Sequence, residues 1–172
     1  DISNLTSYDT EYLFLKLRGN SVSDLAKLSI LDDEDEEYHE VEINLADVEC
    51  PDTEVEPLIK LNDSIQIEMR HPKYTDLLEV DMETGLETSI DLITRCISKV
   101  YSGDETLEMK DFSREEQEEF INSFPADSFA AIQKYFESMP KVSMQVKYKI
   151  KGKNGKQKTK TRLLEGINDF FS

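Results

Sequence analysis

The chain has 172 residues, 38% of them apolar and 33% charged, with 7 Tyr, 8 Phe and no Trp. That is enough apolar material for a packed core, in a length that fits one domain. Twenty basic residues stand against 37 acidic ones, a net charge of -17. A field of that sign repels nucleic-acid phosphates and anionic lipid and favours basic protein partners, so nucleic-acid and membrane binding are not expected. No apolar run approaches the roughly 18 residues needed to cross a bilayer, and no basic-then-apolar leader opens the chain. Cys50 and Cys96 lie far apart in unlike contexts, as free thiols of a reducing compartment do.

The charge is uneven. Residues 1–140 hold 11 basic and 35 acidic side chains, whereas residues 141–172 hold 9 basic and 2 acidic, a basic island on an acidic body. In chain order, Tyr12, Leu13, Phe14, Leu15 and Leu17 predict a short, largely buried helix over 11–17, ended by Gly19-Asn20. Ala26, Leu28 and Ile30, then His39, Val41, Ile43 and Leu45, alternate with polar residues and predict two half-buried strands joined across the acidic run at 32–37. Ile65, Ile67 and Met69 predict a third strand, stopped by Pro72. Leu86, Ile90, Ile93, Ile97 and Val100 fall at steps of three and four and predict one helix closed by Gly103. Ser113 with Glu116 forms a capping box that opens a helix carrying Phe120 and Ile121. Pro125 ends it, and Phe129, Ile132 and Phe136 mark another helix that runs until Pro140.

The last element has the clearest period. Val142, Met144, Val146, Tyr148 and Ile150 alternate strictly with polar residues, and Asn154-Gly155 is the preferred pair for a two-residue hairpin turn. That turn places Tyr148 opposite Thr161 and Val146 opposite Leu163 on the inner side. On the outer side Lys147 faces Arg162, Lys149 faces Lys160 and Lys151 faces Lys158. Six cations then share one face, each like-charge pair costing a few tenths of a kcal/mol or more. An anionic counterpart would relieve that cost: the chain's own acidic body, a second acidic protein, or a polyanion. The plainer reading is a solvated edge hairpin kept soluble by lysine. The expected fold class is α+β: antiparallel strands and hairpins from the N- and C-terminal parts with a central set of helices, in a single domain over 1–172. That domain is strand-rich over 21–72 and helical over 83–140, with the basic hairpin and terminal segment over 141–172.

Signals for chemistry are weak. His39, Cys50, His71 and Cys96 contain no close ligand pair of the kind zinc sites use. The run at 32–37 lacks the Gly and the spaced Glu of a calcium loop. Cys96 lies beside an apolar stripe, as a small core residue does. Residues 152–156 are too short for a phosphate-binding Gly-x-x-x-x-Gly-Lys loop, and no Gly-x-Ser-x-Gly elbow occurs. No catalytic residue, metal site or cofactor is expected. Phe170-Phe171 reads either as a pair that folds back onto the core or as a partner-inserting anchor.

Five segments, in order, resemble the T4-type bacteriophage base plate protein family. They are residues 11–22 (EYLFLKLRGNSV), 41–48 (VEINLADV), 65–72 (IQIEMRHP), 111–140 (DFSREEQEEFINSFPADSFAAIQKYFESMP) and 164–171 (LEGINDFF). The resemblance implies a non-enzymatic protein of the central hub of a contractile tail, either a structural subunit or an assembly factor. Its partners would be other phage hub and tail proteins, met in the host cytoplasm during assembly or in the virion base plate. Many members of that family carry cysteine pairs at both hairpin tips, like a zinc ribbon; neither tip here has a cysteine, so no metal site carries over. Charge can replace metal if the acidic run attracts the basic hairpin. Neutralising Asp32, Asp33, Asp35 and Glu36 would then lower stability at low salt. The expected docking residues are Lys147, Lys149, Lys151, Lys158, Lys160 and Arg162, with Phe170 and Phe171 as an anchor. Two rivals are an acidic decoy that binds a basic host or phage protein, and a small hydrolase working with paired carboxylates.

Overall fold

In chain order the regular elements are α1 (Ser7–Ser21), β1 (Leu25–Leu31), β2 (Tyr38–Asn44), β3 (Leu58–Lys60), β4 (Ile65–Met69), α2 (Tyr74–Glu79), α3 (Leu86–Cys96), β5 (Ile97–Ser102), β6 (Glu105–Glu108), α4 (Arg114–Asn122), α5 (Ala126–Glu137), β7 (Ser143–Lys151) and β8 (Gln157–Glu165). The computed structural model describes residues 2–21, 23–80, 86–152 and 156–171. The class is α+β as expected: antiparallel strand pairs come from both ends of the chain, and its middle holds helices together with a further antiparallel sheet. The chain forms two compact units. One, the terminal unit, joins residues 8–52 to 140–172, and the other, the middle unit, consists of residues 1–7 and 53–139.

In the terminal unit β1 pairs with β2, setting Ala26 against Ile43, Leu28 against Val41 and Ile30 against His39 on one face. The period-2 pattern puts Leu28, Ile30, Val41 and Ile43 inside while Lys27, Ser29, Glu40 and Glu42 face water. β7 pairs with β8, and Ser143 also bridges Glu49. The inner residues of both hairpins pack with Leu15, Leu45, Val48, Val142, Leu164 and Phe170 into one core. Helix α1 is longer than its sequence suggested, and Gly19 does not end it. A Cβ on Gly19 would sit 3.4 Å from Leu45 Cβ and from Asp24 Oδ1. That is ordinary packing distance, so Gly19 simply continues the buried face of the helix, in line with Leu15 four residues earlier. The helix is also not largely buried. Leu15 is fully buried, but Leu13, Phe14 and Leu17 are 38%, 50% and 57% exposed, because only a narrow face meets the core.

In the middle unit a four-stranded antiparallel sheet runs in the order β3-β4-β5-β6. Ile59, Ile67, Met69, Cys96, Ile97 and Val100 pack with Met109, Ile121, Phe124, Ile132 and Tyr135 into a second core. The Ser113–Glu116 capping box forms as expected, each residue's side chain meeting the other's backbone N–H at 3.3 and 2.8 Å. The expected single helix to Gly103 is corrected. It ends at Cys96, and Ile97–Ser102 is a strand whose turn into β6 contains Gly103 at φ 59°. The cause is a bulge: Glu68 pairs with Lys99 but Met69 pairs with Ile97, so Ser98 is an extra residue on β5. Ile97 and Val100 therefore point inward together, three apart, and imitate a helical step.

Candidate functional site: the basic hairpin and its acidic loop

The register of β7 and β8 decides where each cation points. Lys147 pairs with Thr161, Lys149 with Thr159 and Lys151 with Gln157, while Val146 pairs with Arg162, Tyr148 with Lys160 and Ile150 with Lys158. This is one residue off the expected pairing, and Leu164 rather than Leu163 reaches the core. The expected Asn154-Gly155 turn lies outside the described residues. The pairing on either side, closed by Gly152 N–H donating to the Lys156 carbonyl at 3.0 Å, leaves three residues in the loop rather than two. A one-residue slip flips every side chain of a strand. The six cations consequently do not share a face. They split three and three, and the cross-strand like-charge pairs disappear.

Lys158, Lys160 and Arg162 occupy the inner side, where they meet the acidic loop between β1 and β2. Asp32 is only 2% exposed. Its carboxylate accepts from Lys160 Nζ at 2.6 Å, from the Tyr148 hydroxyl at 2.6 Å and from the Glu34 N–H at 2.8 Å. Glu34 accepts from Lys158 at 3.0 Å and pairs with Lys160 at 3.2 Å, and Arg162 donates to the Leu31 carbonyl at 3.3 Å. Lys160 beside it, and then the Tyr148 hydroxyl, hold the Asp32 carboxyl far below the usual carboxylate range. Lys158 and then Lys160 lower Glu34, and Asp32 is the chief reason Lys160 is raised. Burial, with Asp32 second, pushes the Tyr148 phenol up. Burial also pushes Asp35 up, but the His39 ring nitrogen at 3.0 Å and the Glu37 N–H outweigh it, so its net shift is downward. The attraction between acidic run and basic hairpin is thus realised, with Glu34 in a role that the sequence reading did not give it. Asp33 and Glu36 are exposed and enter no ion pair in the cluster.

The loop is closed by Asp32 N–H to the Glu37 carbonyl and Glu36 N–H to the Asp32 carbonyl, at 3.1 and 2.9 Å. That closure holds Glu36 at φ 56°, a left-handed conformation costly for a residue with a Cβ. Glu36→Gly is expected to raise stability by about 0.5–1 kcal/mol in urea unfolding, the relieved strain exceeding the added chain entropy.

The outer side is different. Lys147, Lys149 and Lys151 form an exposed column with Thr161, Thr159 and Gln157 beside it, and their side chains make no hydrogen bond or ion pair among the described residues. Successive lysines on one face of a strand lie about 6.5–7 Å apart. A shallow trough of about 470 Å³, lined by Glu40, Glu42, Lys147 and Lys149, borders the column. The two terminal phenylalanines part company: Phe170 is 1% exposed and is a core residue, not an anchor. Phe171 is 47% exposed and lies edge-on to Phe14 at 5.9 Å, with Arg18 over its ring at 5.6 Å.

The middle unit has a cleft of about 560 Å³ whose lining includes Arg70, Arg95, Lys110 and Arg114. Each cation is already engaged, by Asp76, Asp91, Glu108 and Glu118 respectively. Cys96 is fully buried, and burial pushes its thiol up to about 12, far from a reactive thiolate. Among the described residues no group of three or more His, Cys, Asp or Glu side chains is arranged to hold a metal ion. No helix among them is long and apolar enough to cross a membrane.

A family model described as T4 bacteriophage base plate protein matches residues 1–172. No curated protein and no solved structure matches the chain.

Proposed function

Because the chain belongs to the T4 bacteriophage base plate protein family, we propose that it works at the central hub of the contractile tail, by protein–protein contact and without catalysis. The observation that carries this reading, beside the family, is the lysine column of β7. Three cations stand in one row on a near-neutral unit with no partner of their own among the described residues. The terminal unit holds 12 basic and 16 acidic residues, the middle unit 8 and 21, so most of the negative excess lies in the middle unit. Lys147, Lys149 and Lys151 are the docking residues in this reading, and the partner presents carboxylates to them. Lys158, Lys160 and Arg162 serve instead to hold the two hairpins of the terminal unit together.

Such a surface steers encounter and fixes register more than it supplies affinity, and its effect is screened by salt. The test is mass spectrometry on a low-salt pull-down of the tagged chain from infected cells, with purified virions probed alongside. Hub proteins in the pull-down and the chain in virions identify a structural subunit. Hub proteins without the chain in virions identify an assembly factor. Recovery of no tail protein in repeated low-salt experiments contradicts the reading.

A further inference from the structure

We propose that the outer face of α1 is an interface between two copies of this chain, packed as antiparallel helices. Leu13, Phe14 and Leu17 form an exposed apolar stripe along the helix, widened by Phe171 against Phe14. The occupant is indicated by the charges that border the stripe. At 100° per residue, Asp9 and Lys16 lie on one flank, and Glu11 and Arg18 on the other. On each flank an acid in the first half of the helix is followed by a base seven residues later. Two antiparallel helices bring like flank against like flank. Asp9 of one copy then meets Lys16 of the other, and Glu11 meets Arg18, twice over, with Leu13 and Phe14 crossing at the centre. The antiparallel sense also opposes the two helix dipoles favourably.

The borders have the reach to do this. Asp9 and Arg18 are exposed, and Arg18 has a ring contact with Phe171 but no carboxylate partner among the described residues. Asp9 is itself engaged within its own chain, Glu11 also accepts from the Ile167 N–H, and Lys16 from its own side reaches the Ala46 carbonyl, so these three supply field more than new bonds. The near-neutral charge of the terminal unit lets two copies approach through this face despite a net charge of -17 each. One helix face is a small interface, so the dimer is weak, with a Kd on the order of 10–100 μM.

The experiment is sedimentation equilibrium of the full chain at about 0.15 M salt, where the net self-repulsion is screened, up to a few times the expected Kd. A concentration-dependent monomer–dimer equilibrium is expected. Phe14→Ser with Leu17→Ser is expected to weaken it at least about tenfold, with unchanged circular dichroism because both side chains are exposed. Arg18→Glu is expected to weaken it as well. A monomer at every concentration overturns the proposal. So does a dimer that the folded Phe14→Ser/Leu17→Ser variant leaves intact.

Discussion

Phe170→Ala is expected to cost about 3–5 kcal/mol in equilibrium urea unfolding, whereas Phe171→Ala stays within about 1 kcal/mol. The two residues are adjacent and chemically identical, so the difference isolates burial. Phe170 is 1% exposed in the core that Leu15, Val41, Val146 and Leu164 share, and its removal leaves a ring-sized cavity in that core. Phe171 loses only an edge-on contact with Phe14 and the cation over its ring. Equal losses at the two positions would mean that the terminal segment does not close the core in this way.

Asp32→Asn combined with Glu34→Gln is expected to lower the melting temperature by several degrees at neutral pH, while Asp33→Asn with Glu36→Gln changes it little. The first pair strips the carboxylates from Lys158 and Lys160; the second touches no ion pair of the cluster. The pH dependence follows from the direction of the shifts. Asp32 and Glu34 are both lowered in the fold, so the unfolded chain takes up their protons first as pH falls. Their stabilisation is complete above the ordinary carboxylate range, near pH 4, and is lost as pH falls below it toward the depressed folded values. The gap between wild type and the Asp32→Asn/Glu34→Gln variant is therefore constant from about pH 5 to 8 and closes below about pH 4. Part of it persists in high salt, because Asp32 is buried against Lys160, and part does not, because Lys158 is half exposed. A gap unchanged down to pH 2 would contradict the assignment.

Much of the terminal unit was legible because its hairpins obey a strict period of two: Leu28, Ile30, Val41 and Ile43, like Val146 and Ile150, are buried where alternation puts them. Register was the weaker signal. Alternation along β7 is the same for a two-residue or a three-residue connection, yet the choice decides which way Lys158, Lys160 and Arg162 point. The favourable Asn-Gly pair suggested the shorter loop; the contacts of Lys158 and Lys160 with the acidic loop accompany the longer one. Tyr148 carries the same lesson, its hydroxyl reaching Asp32 from 116 residues away. In the middle unit β3, β5 and β6 went unread. β3 and β6 are only three and four residues long, and the bulge at Ser98 gave β5 the spacing of a helix. The outer stripe of α1 was read as core, because composition alone does not say which side of an apolar helix meets a neighbour.

In the proposed function one basic hairpin is divided into an inner half that holds the terminal unit together and an outer half that docks. The most direct test of that division is the pull-down from infected cells with Lys147, Lys149 and Lys151 all changed to Gln, which removes the charge without setting new carboxylates beside Glu40 and Glu42. The column is exposed and pairs only with Thr and Gln across the strand, so the variant keeps the wild-type melting temperature to within a few degrees. This folded variant is expected no longer to recover the tail proteins that wild type recovers at low salt. Recovery of the same proteins in the same amounts would contradict that division.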